Sequence, residues 1–246
     1  MCSLRLARHV APERLDVLPP EDPRARRSRR DLQRVHRAMR SVAILRRAHG
    51  SLRGAGTRRI LELGAGDGSL MLRFARSAGA VWRDVHITFL DRQDLVSAAT
   101  QHGFARVGWN MEVVTDDVLE WARAKQPRHY DLCITTLFLH HFETAALQVL
   151  LRAVAERCRA FIALEPRRNS AAWIGSHLLG FLGANEVTRE DGVTSVVAGF
   201  ADSELSALWP NDGTWWLQEY FAWPFSHCFV AERKRGDGRN SDAFGA

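Results

Sequence analysis

A glycine-rich stretch at residues 60–70 constrains the fold of this chain more than any other segment. The apolar residues before the turn predict a buried strand, and three alternating glycines follow it, at Gly64, Gly66 and Gly68. Because glycine lacks a Cβ atom, the backbone there can bend sharply and approach a ligand closely. Residues 69–78 have the apolar spacing of a helix. A strand, a glycine turn and a helix in this order predict a nucleotide-type site in an open α/β sheet.

Alternating strand and helix patterns continue after this turn. Predicted strands cover residues 59–63, 85–90, 111–115, 130–137 and 160–164, and predicted helices cover residues 69–78, 94–100, 118–124 and 144–157. This order predicts an α/β fold whose parallel sheet has helices on both faces. Two further strands, at residues 214–222 and 227–233, are close in sequence. We expect them to pair antiparallel, because parallel neighbours need a long crossover.

Composition divides the chain into segments. Residues 1–59 have a net charge of +11, whereas the rest of the chain has a net charge of −5. We expect residues 1–28 to be a disordered basic tail, because they are rich in proline and arginine. Residues 29–57 are predicted to form an N-terminal helical extension that starts near Asp31 and either covers the site as a lid or packs on a flank. The main domain is predicted at residues 58–234, and residues 235–246 are predicted to be a second disordered tail.

The spacing of the glycines, with Glu62 two residues before Gly64, resembles the first motif of class I methyltransferases that use S-adenosylmethionine (SAM). It differs from the G-x-G-x-x-G pattern of dinucleotide-binding folds. The resemblance covers residues 58–166. It implies a Rossmann-like, seven-stranded α/β sheet, mostly parallel with an antiparallel C-terminal strand. It also implies SAM as the cofactor.

The same resemblance assigns roles to residues at the strand ends, where ligands bind in open α/β sheets. Asp91 would accept hydrogen bonds from the ribose diol of SAM, and Asp117 would accept one from the adenine amino group. Asp116 is the alternative to Asp117. The predicted cofactor-binding residues are Glu62, Gly64, Ala65, Gly66, Gly68, Asp91, Arg92, Asp116, Asp117, Val118 and Thr136.

The fourth predicted strand is followed by the sequence Leu-His-His at residues 139–141. This segment resembles the one in small-molecule methyltransferases of the ubiquinone/menaquinone-biosynthesis type. Histidine can accept a proton near neutral pH, so His140 or His141 is predicted to be the catalytic base. Alternatively, both line the pocket without transferring a proton, because positioning alone can supply much of such a barrier.

The resemblance predicts an enzyme that methylates an oxygen or carbon of a small phenolic or lipid-like acceptor, in specialised metabolism. An apolar, aromatic segment at residues 173–182 suits a flat or lipid-like acceptor. A second hypothesis is methylation of RNA or protein through the basic N-terminal arm. The fourth strand ends in Thr-Thr-Leu-Phe rather than Asp/Asn-Pro-Pro-Tyr, which counts against nucleic acid bases. A third is a SAM-binding scaffold without catalysis.

Cysteine usage and hydropathy complete the expectations. The four cysteines are scattered without the spacing of a metal site, so we expect no metal. No apolar run approaches the length of a membrane span. The first eight residues lack the apolar core of a signal peptide, so we expect a cytoplasmic protein. The sequence predicts no oligomeric state.

Overall fold

A seven-stranded sheet forms the centre of the protein. The computed structural model describes residues 7–54, 56–79, 82, 84–125, 128–210 and 212–234. The strands are β1 (Arg59–Leu63), β2 (Val85–Asp91), β3 (Trp109–Thr115), β4 (Tyr130–Thr136), β5 (Cys158–Pro166), β6 (Trp215–Ala222) and β7 (Ser226–Arg233).

The order of the strands in the sheet is β3-β2-β1-β4-β5-β7-β6. The first five strands are parallel, and β7 pairs antiparallel with both β5 and β6. The predicted seven-stranded, mostly parallel sheet with an antiparallel C-terminal strand is therefore confirmed. The connection order reverses at β1, because the chain adds β2 and β3 on one side of β1 and then β4 and β5 on the other. Such a switch point opens a crevice at the carboxyl end of β1.

Ten α-helices surround the sheet in the described part of the chain. They are α1 (Arg14–Val17), α2 (Pro23–Ala38), α3 (Ser41–Gly50), α4 (Ser69–Ala78), α5 (Ala98–Arg106), α6 (Val118–Arg123), α7 (Thr144–Arg157), α8 (Ser170–His177), α9 (Glu186–Ala198) and α10 (Glu204–Leu208). Two 3₁₀ turns, Leu139–His141 and Leu178–Leu182, precede α7 and α9. No helix within the described ranges is both long and apolar enough to cross a membrane.

Alternate residues of the central strands enter two hydrophobic cores, one on each face of the sheet. Leu61 of β1 and Phe161 of β5 belong to one core, and Ile60 and Ile162 belong to the other. This follows from the two-residue period of a strand, which sends neighbouring side chains to opposite faces. Helices cover both cores, so the carboxyl ends of the strands are held rigidly.

The prediction of a disordered tail is wrong for residues 7–28, whereas residues 1–6 and 235–246 lie outside the described residues. Helix α1 and the start of α2 fall in this segment. Arg8 donates a 2.9 Å hydrogen bond to the carbonyl of Phe142, and Asp191 accepts from the backbone N–H groups of Arg14 and Leu15. Composition misled the prediction because several arginines and acids here have partners on the body of the protein.

The predicted bounds of two helical segments are also wrong. The N-terminal helix begins at Pro23, where Asp22 accepts from the Arg24 N–H, and it ends before Arg40, which adopts a left-handed φ of 57°. Asp31 is buried inside α2. The helix predicted at residues 94–100 instead begins at Ala98, because the side chain of Ser97 caps it.

Candidate functional site

A cavity of about 1120 Å³ lies at the carboxyl ends of β1, β2, β3 and β4. The turns after these strands form its floor. Residues of α1, α2, α8 and α9 form its other walls. The cavity is large enough for a nucleotide-sized cofactor and a second small molecule together.

The glycine turn after β1 approaches both the core and the cavity. Gly64 has a φ of 67°, and a Cβ atom there would collide with the ring of Phe138. Gly66 has a φ of 56°, and its N–H donates a 2.9 Å hydrogen bond to Asp91. No described atom lies within 4 Å of the position that a Cβ on Gly66 would take. Glycine at position 64 therefore lets the ring of Phe138 pack against the turn, whereas glycine at position 66 leaves open space at the cavity wall.

The structure brings nearly all the predicted site residues together. Gly68 is the exception, because it lies outside the cavity lining: it precedes α4 with a φ of 67° and lies against Phe89. The predicted residues that line the cavity are Glu62, Gly64, Ala65, Gly66, Asp91, Arg92, Asp116, Asp117, Val118, Thr136, His140 and His141.

His140 is buried between two carboxylates. Its Nδ1 lies 2.8 Å from Oε2 of Glu165, and its Nε2 lies 3.2 Å from Oε1 of Glu13. Burial alone would lower the pKa of His140, but the hydrogen bonds to Glu13 and Glu165 and their charges outweigh it and raise that pKa to about 9. His140 is therefore an imidazolium at neutral pH, with both ring nitrogens engaged. It ties the N-terminal segment to β5.

Replacement of His140 by glutamine is expected to change how stability depends on pH. A pKa raised from 6.5 to about 9 stabilises the folded state fully below pH 6.5, and this contribution is lost as pH rises through 9. The native protein should therefore exceed His140→Gln in unfolding free energy by on the order of 3 kcal/mol near pH 6, with the gap shrinking toward pH 10. Urea unfolding across this pH range measures the gap.

The charged groups around His140 belong to three elements. They are Glu13 before α1, Glu165 of β5, and His141 with its partner Asp16. The native protein and His140→Gln both keep these neighbours. The difference between their unfolding free energies therefore reports the ring of His140 alone. A gap that stays constant with pH would contradict the imidazolium assignment.

His141 is less buried and has a different partner. Its Nδ1 lies 3.1 Å from Oδ2 of Asp16. Burial alone would raise the pKa of Asp16, but the hydrogen bond and charge of His141, with the charge of Arg92, outweigh it and lower that pKa. Asp16 is therefore a carboxylate, which orients the His141 ring at the cavity wall.

Glu13, Asp16 and Glu165 were not predicted as site residues. Glu13 also accepts a hydrogen bond from the Ser195 hydroxyl, in addition to its contact with His140. Glu165 accepts from the backbone N–H groups of residues 138 and 139, at 3.1 and 3.0 Å. The position of Glu165 at the end of a predicted strand was a signal in the sequence that it could belong to the site. Glu13 and Asp16 had none, because only tertiary folding brings them to the cavity.

Ligand atoms of Glu13, His140 and His141 lie within 4.8 Å of one another, a separation that one cation could bridge. The hydrogen bonds of the cluster already account for both nitrogens of His140 and for Oε1 of Glu13. These hydrogen bonds and charges connect the cluster to Glu165 and Asp16.

The family model of a methyltransferase domain matches residues 60–160, from β1 to β5. These residues contain the glycine turn and every predicted cofactor-binding residue. Residues 60–160 therefore form a methyltransferase domain. No curated protein matches the chain. The ubiquinone-type subgroup stays a prediction.

Solved structures share the fold of this methyltransferase domain at low sequence identity. An O-methyltransferase family protein from Burkholderia thailandensis is 16% identical, with a TM-score of 0.60 over 88% of this chain and 62% of that chain. The plantazolicin methyltransferase BpumL, in complex with S-adenosylhomocysteine, is 11% identical, with a TM-score of 0.59 over 87% and 92%. The mitomycin 7-O-methyltransferase MmcR is 17% identical, with a TM-score of 0.57 over 87% and 58%. The chain thus spans less than two thirds of the first and third structures.

The cofactor side of the methyltransferase domain fits SAM. Glu62 is buried, and its Oε2 has no hydrogen-bond partner among the described residues. Burial, with the charges of Asp67 and Asp91, raises the pKa of Glu62 well above its ordinary value. A cationic ligand group would relieve both conditions, and the methionine part of SAM carries an ammonium and a sulfonium. The open space above Gly66 provides room for it.

The carboxylates proposed for ribose and adenine have backbone partners as well. Asp91 accepts from the N–H groups of Gly66 and Gln93, which fixes its carboxylate at the cavity wall. Asp117 caps α6 by accepting from the N–H of Leu119, and Asp116 accepts from the N–H of Asp117. Asp116 and Asp117 both line the cavity, so the choice between them for adenine stays open.

Proposed function

We propose that this protein transfers a methyl group from SAM to a hydroxyl oxygen of a small phenolic or lipid-like acceptor. The observation that supports this most is the position of the His141–Asp16 pair, which lines the same cavity as the glycine turn. An acceptor hydroxyl in this cavity would lie between a methyl donor and a base. Methylation at carbon is the alternative within the same site.

The residues of the acceptor side are mainly apolar. Phe142, Leu179 and Phe225 line the cavity there, together with small residues such as Ala172. Such a wall favours a ring or an alkyl chain, whose apolar area it removes from water. Polar side chains, among them His141 and Asp191, line the same cavity. This distribution supports an acceptor with a hydroxylated head and an apolar body.

SAM, when bound, supplies an electrophilic methyl group on a sulfonium. Glu62, Asp91 and the turn at Gly66 would hold it, and the acceptor side would hold the hydroxyl in line with it. Nε2 of His141 would take the proton as the acceptor oxygen gains the methyl group, and S-adenosylhomocysteine is the second product. Asp16 would stabilise the imidazolium that forms.

His141→Gln should lower kcat by about 10²- to 10⁴-fold while leaving SAM affinity unchanged, because it removes the proton acceptor but no cofactor contact. Asp16→Asn should give a smaller loss in the same direction. Calorimetry with SAM and initial rates with labelled SAM measure the two quantities separately.

His102→Gln is the matched control, because His102 is exposed on α5 and outside the cavity lining. It should retain native turnover. Native turnover by His141→Gln would contradict a base at this position and leave positioning as the role of the pair.

The class of acceptor requires a separate experiment. The protein would be incubated with labelled SAM and a fractionated extract of its source. Label in small, organic-soluble molecules would support the proposal. Label in RNA or protein alone would contradict it, and binding of SAM without any transfer would favour a scaffold.

A further inference from the structure

Six exposed hydrophobic side chains lie on α8, on the 3₁₀ turn after it and on the turn between β6 and β7, and we call them the mouth patch. Phe181 is 88% exposed, Trp223 64% and Ile174 55%. Single exposed hydrophobic residues are ordinary, but a group of this size indicates an interaction site. The patch consists of Trp173, Ile174, Leu178, Phe181, Trp223 and Phe225.

The patch joins two parts of the fold. A Cβ on Gly175 of α8 would lie 3.2 Å from the ring of Phe225, so α8 packs against the turn between β6 and β7. Leu178, Phe181 and Phe225 are exposed and also line the cavity. The apolar interior of the cavity is therefore continuous with the apolar surface outside it.

Arginines border the mouth patch. Arg27 donates to the carbonyl of Gly183, directly after the 3₁₀ turn that carries Phe181. Arg189 lies against the same turn. On the other side, the guanidinium of Arg40 lies 5.5 Å from the ring centroid of Trp223. An apolar centre with a cationic border is complementary to an anionic lipid surface.

Exposed acids occur near this border but have a cationic partner. Glu186 and Glu190 of α9 both form ion pairs with Arg14, at 3.2 and 2.7 Å. Asp31 is buried against Arg34. These pairs reduce the negative charge that would oppose approach to an anionic surface.

We propose that the mouth patch docks on the surface of a lipid bilayer that carries anionic headgroups. Tryptophan is enriched at the interface of bilayers, and phenylalanine, leucine and isoleucine bury their side chains among the upper acyl chains. Arginine extends its charge to the headgroups while its stem covers apolar surface. A lipid-like acceptor would then pass from the bilayer into the cavity, a step that rests on the proposed function; docking itself does not.

Flotation with unilamellar vesicles tests the docking. The native protein should bind vesicles of phosphatidylcholine with about one third phosphatidylglycerol at least about tenfold better than vesicles of phosphatidylcholine alone. The double variant Ile174→Ser/Trp223→Ser should lose about tenfold in affinity for the anionic vesicles. Arg27→Gln/Arg189→Gln should lose affinity at low salt and become less sensitive to salt.

Val149→Ser is the matched control, because Val149 is 40% exposed on α7, away from the patch. It should bind vesicles like the native protein. Vesicle affinity that is equal for the native protein and Ile174→Ser/Trp223→Ser would overturn the proposal, as would failure of the native protein to bind; a protein partner would then be the occupant to consider. Calorimetry with SAM on every variant verifies the fold and separates this outcome from failure of the methyltransferase proposal.

Discussion

Glu165→Gln is expected to lower kcat by at least about 100-fold and the free energy of unfolding by about 2–4 kcal/mol. Glu165 is fully buried and accepts hydrogen bonds from the backbone N–H groups of Phe138 and Leu139 and from Nδ1 of His140. Glutamine keeps one acceptor oxygen, but it replaces the other with an NH₂ donor. It also removes the negative charge opposite the His140 imidazolium. The 3₁₀ turn that carries His141 should shift, and with it the proposed base.

A second buried histidine–glutamate pair provides the control for Glu165→Gln. Nε2 of His227 lies 2.6 Å from Oε1 of Glu219, and Glu219 also accepts from the N–H groups of Leu205 and Ser206. This pair does not line the cavity in the described structure. Glu219→Gln should therefore lose similar stability but keep native kcat. Equal kcat losses in the two variants would show that turnover follows general stability instead of this one turn.

Gly66→Ala is expected to weaken SAM binding by at least about tenfold. Its Cβ would enter the open space at the cavity wall, where no described protein atom lies within 4 Å, so the added methyl group would exclude cofactor rather than disturb packing. The φ of 56° adds about 1–2 kcal/mol of backbone strain. Calorimetry with SAM measures the affinity, and urea unfolding measures the strain.

Gly108→Ala separates strain from exclusion of the cofactor. Gly108 also has a positive φ, of 76°, with no described neighbour within 4 Å of a Cβ, and it lies after α5, outside the cavity lining. It should lose similar stability and bind SAM normally. If the two alanine variants bind SAM equally well, the glycine turn does not contact the cofactor.

Local features of the sequence predicted the sheet well, and they predicted residues that line one cavity. The bounds of β1 and α7 agree with the predicted ranges, because the apolar period, the glycine turn and the flanking polar residues all indicate the same element. The predicted start of α5 at residue 94 was wrong, and Asp94 and Ser97 are both acceptable helix caps. The local sequence alone does not show which of these two residues caps the helix.

Long-range contacts explain what the sequence did not predict. Glu13 reaches His140 across 127 residues, and no local pattern marks such a pair. The break between α2 and α3 occurs at Arg40, a residue that rarely adopts a left-handed φ. Composition classed residues 7–28 as disordered because it counts charges without their partners, and Arg8 and Arg14 have theirs on distant elements.

The N-terminal segment over the cavity gives the chain separate parts for the methyl donor and for the acceptor. Under the proposed function, strands β1 to β3 and their turns bind SAM, whereas Glu13 and Asp16 contribute to the wall that an acceptor would meet. A fragment that begins at β1 would retain the motifs by which such domains are recognised and yet have an incomplete acceptor site. Exchange of residues 7–22 between related chains would therefore be a direct way to alter acceptor preference, because α2 would keep its hydrogen bonds to Asp67 and Gln93 on the donor side.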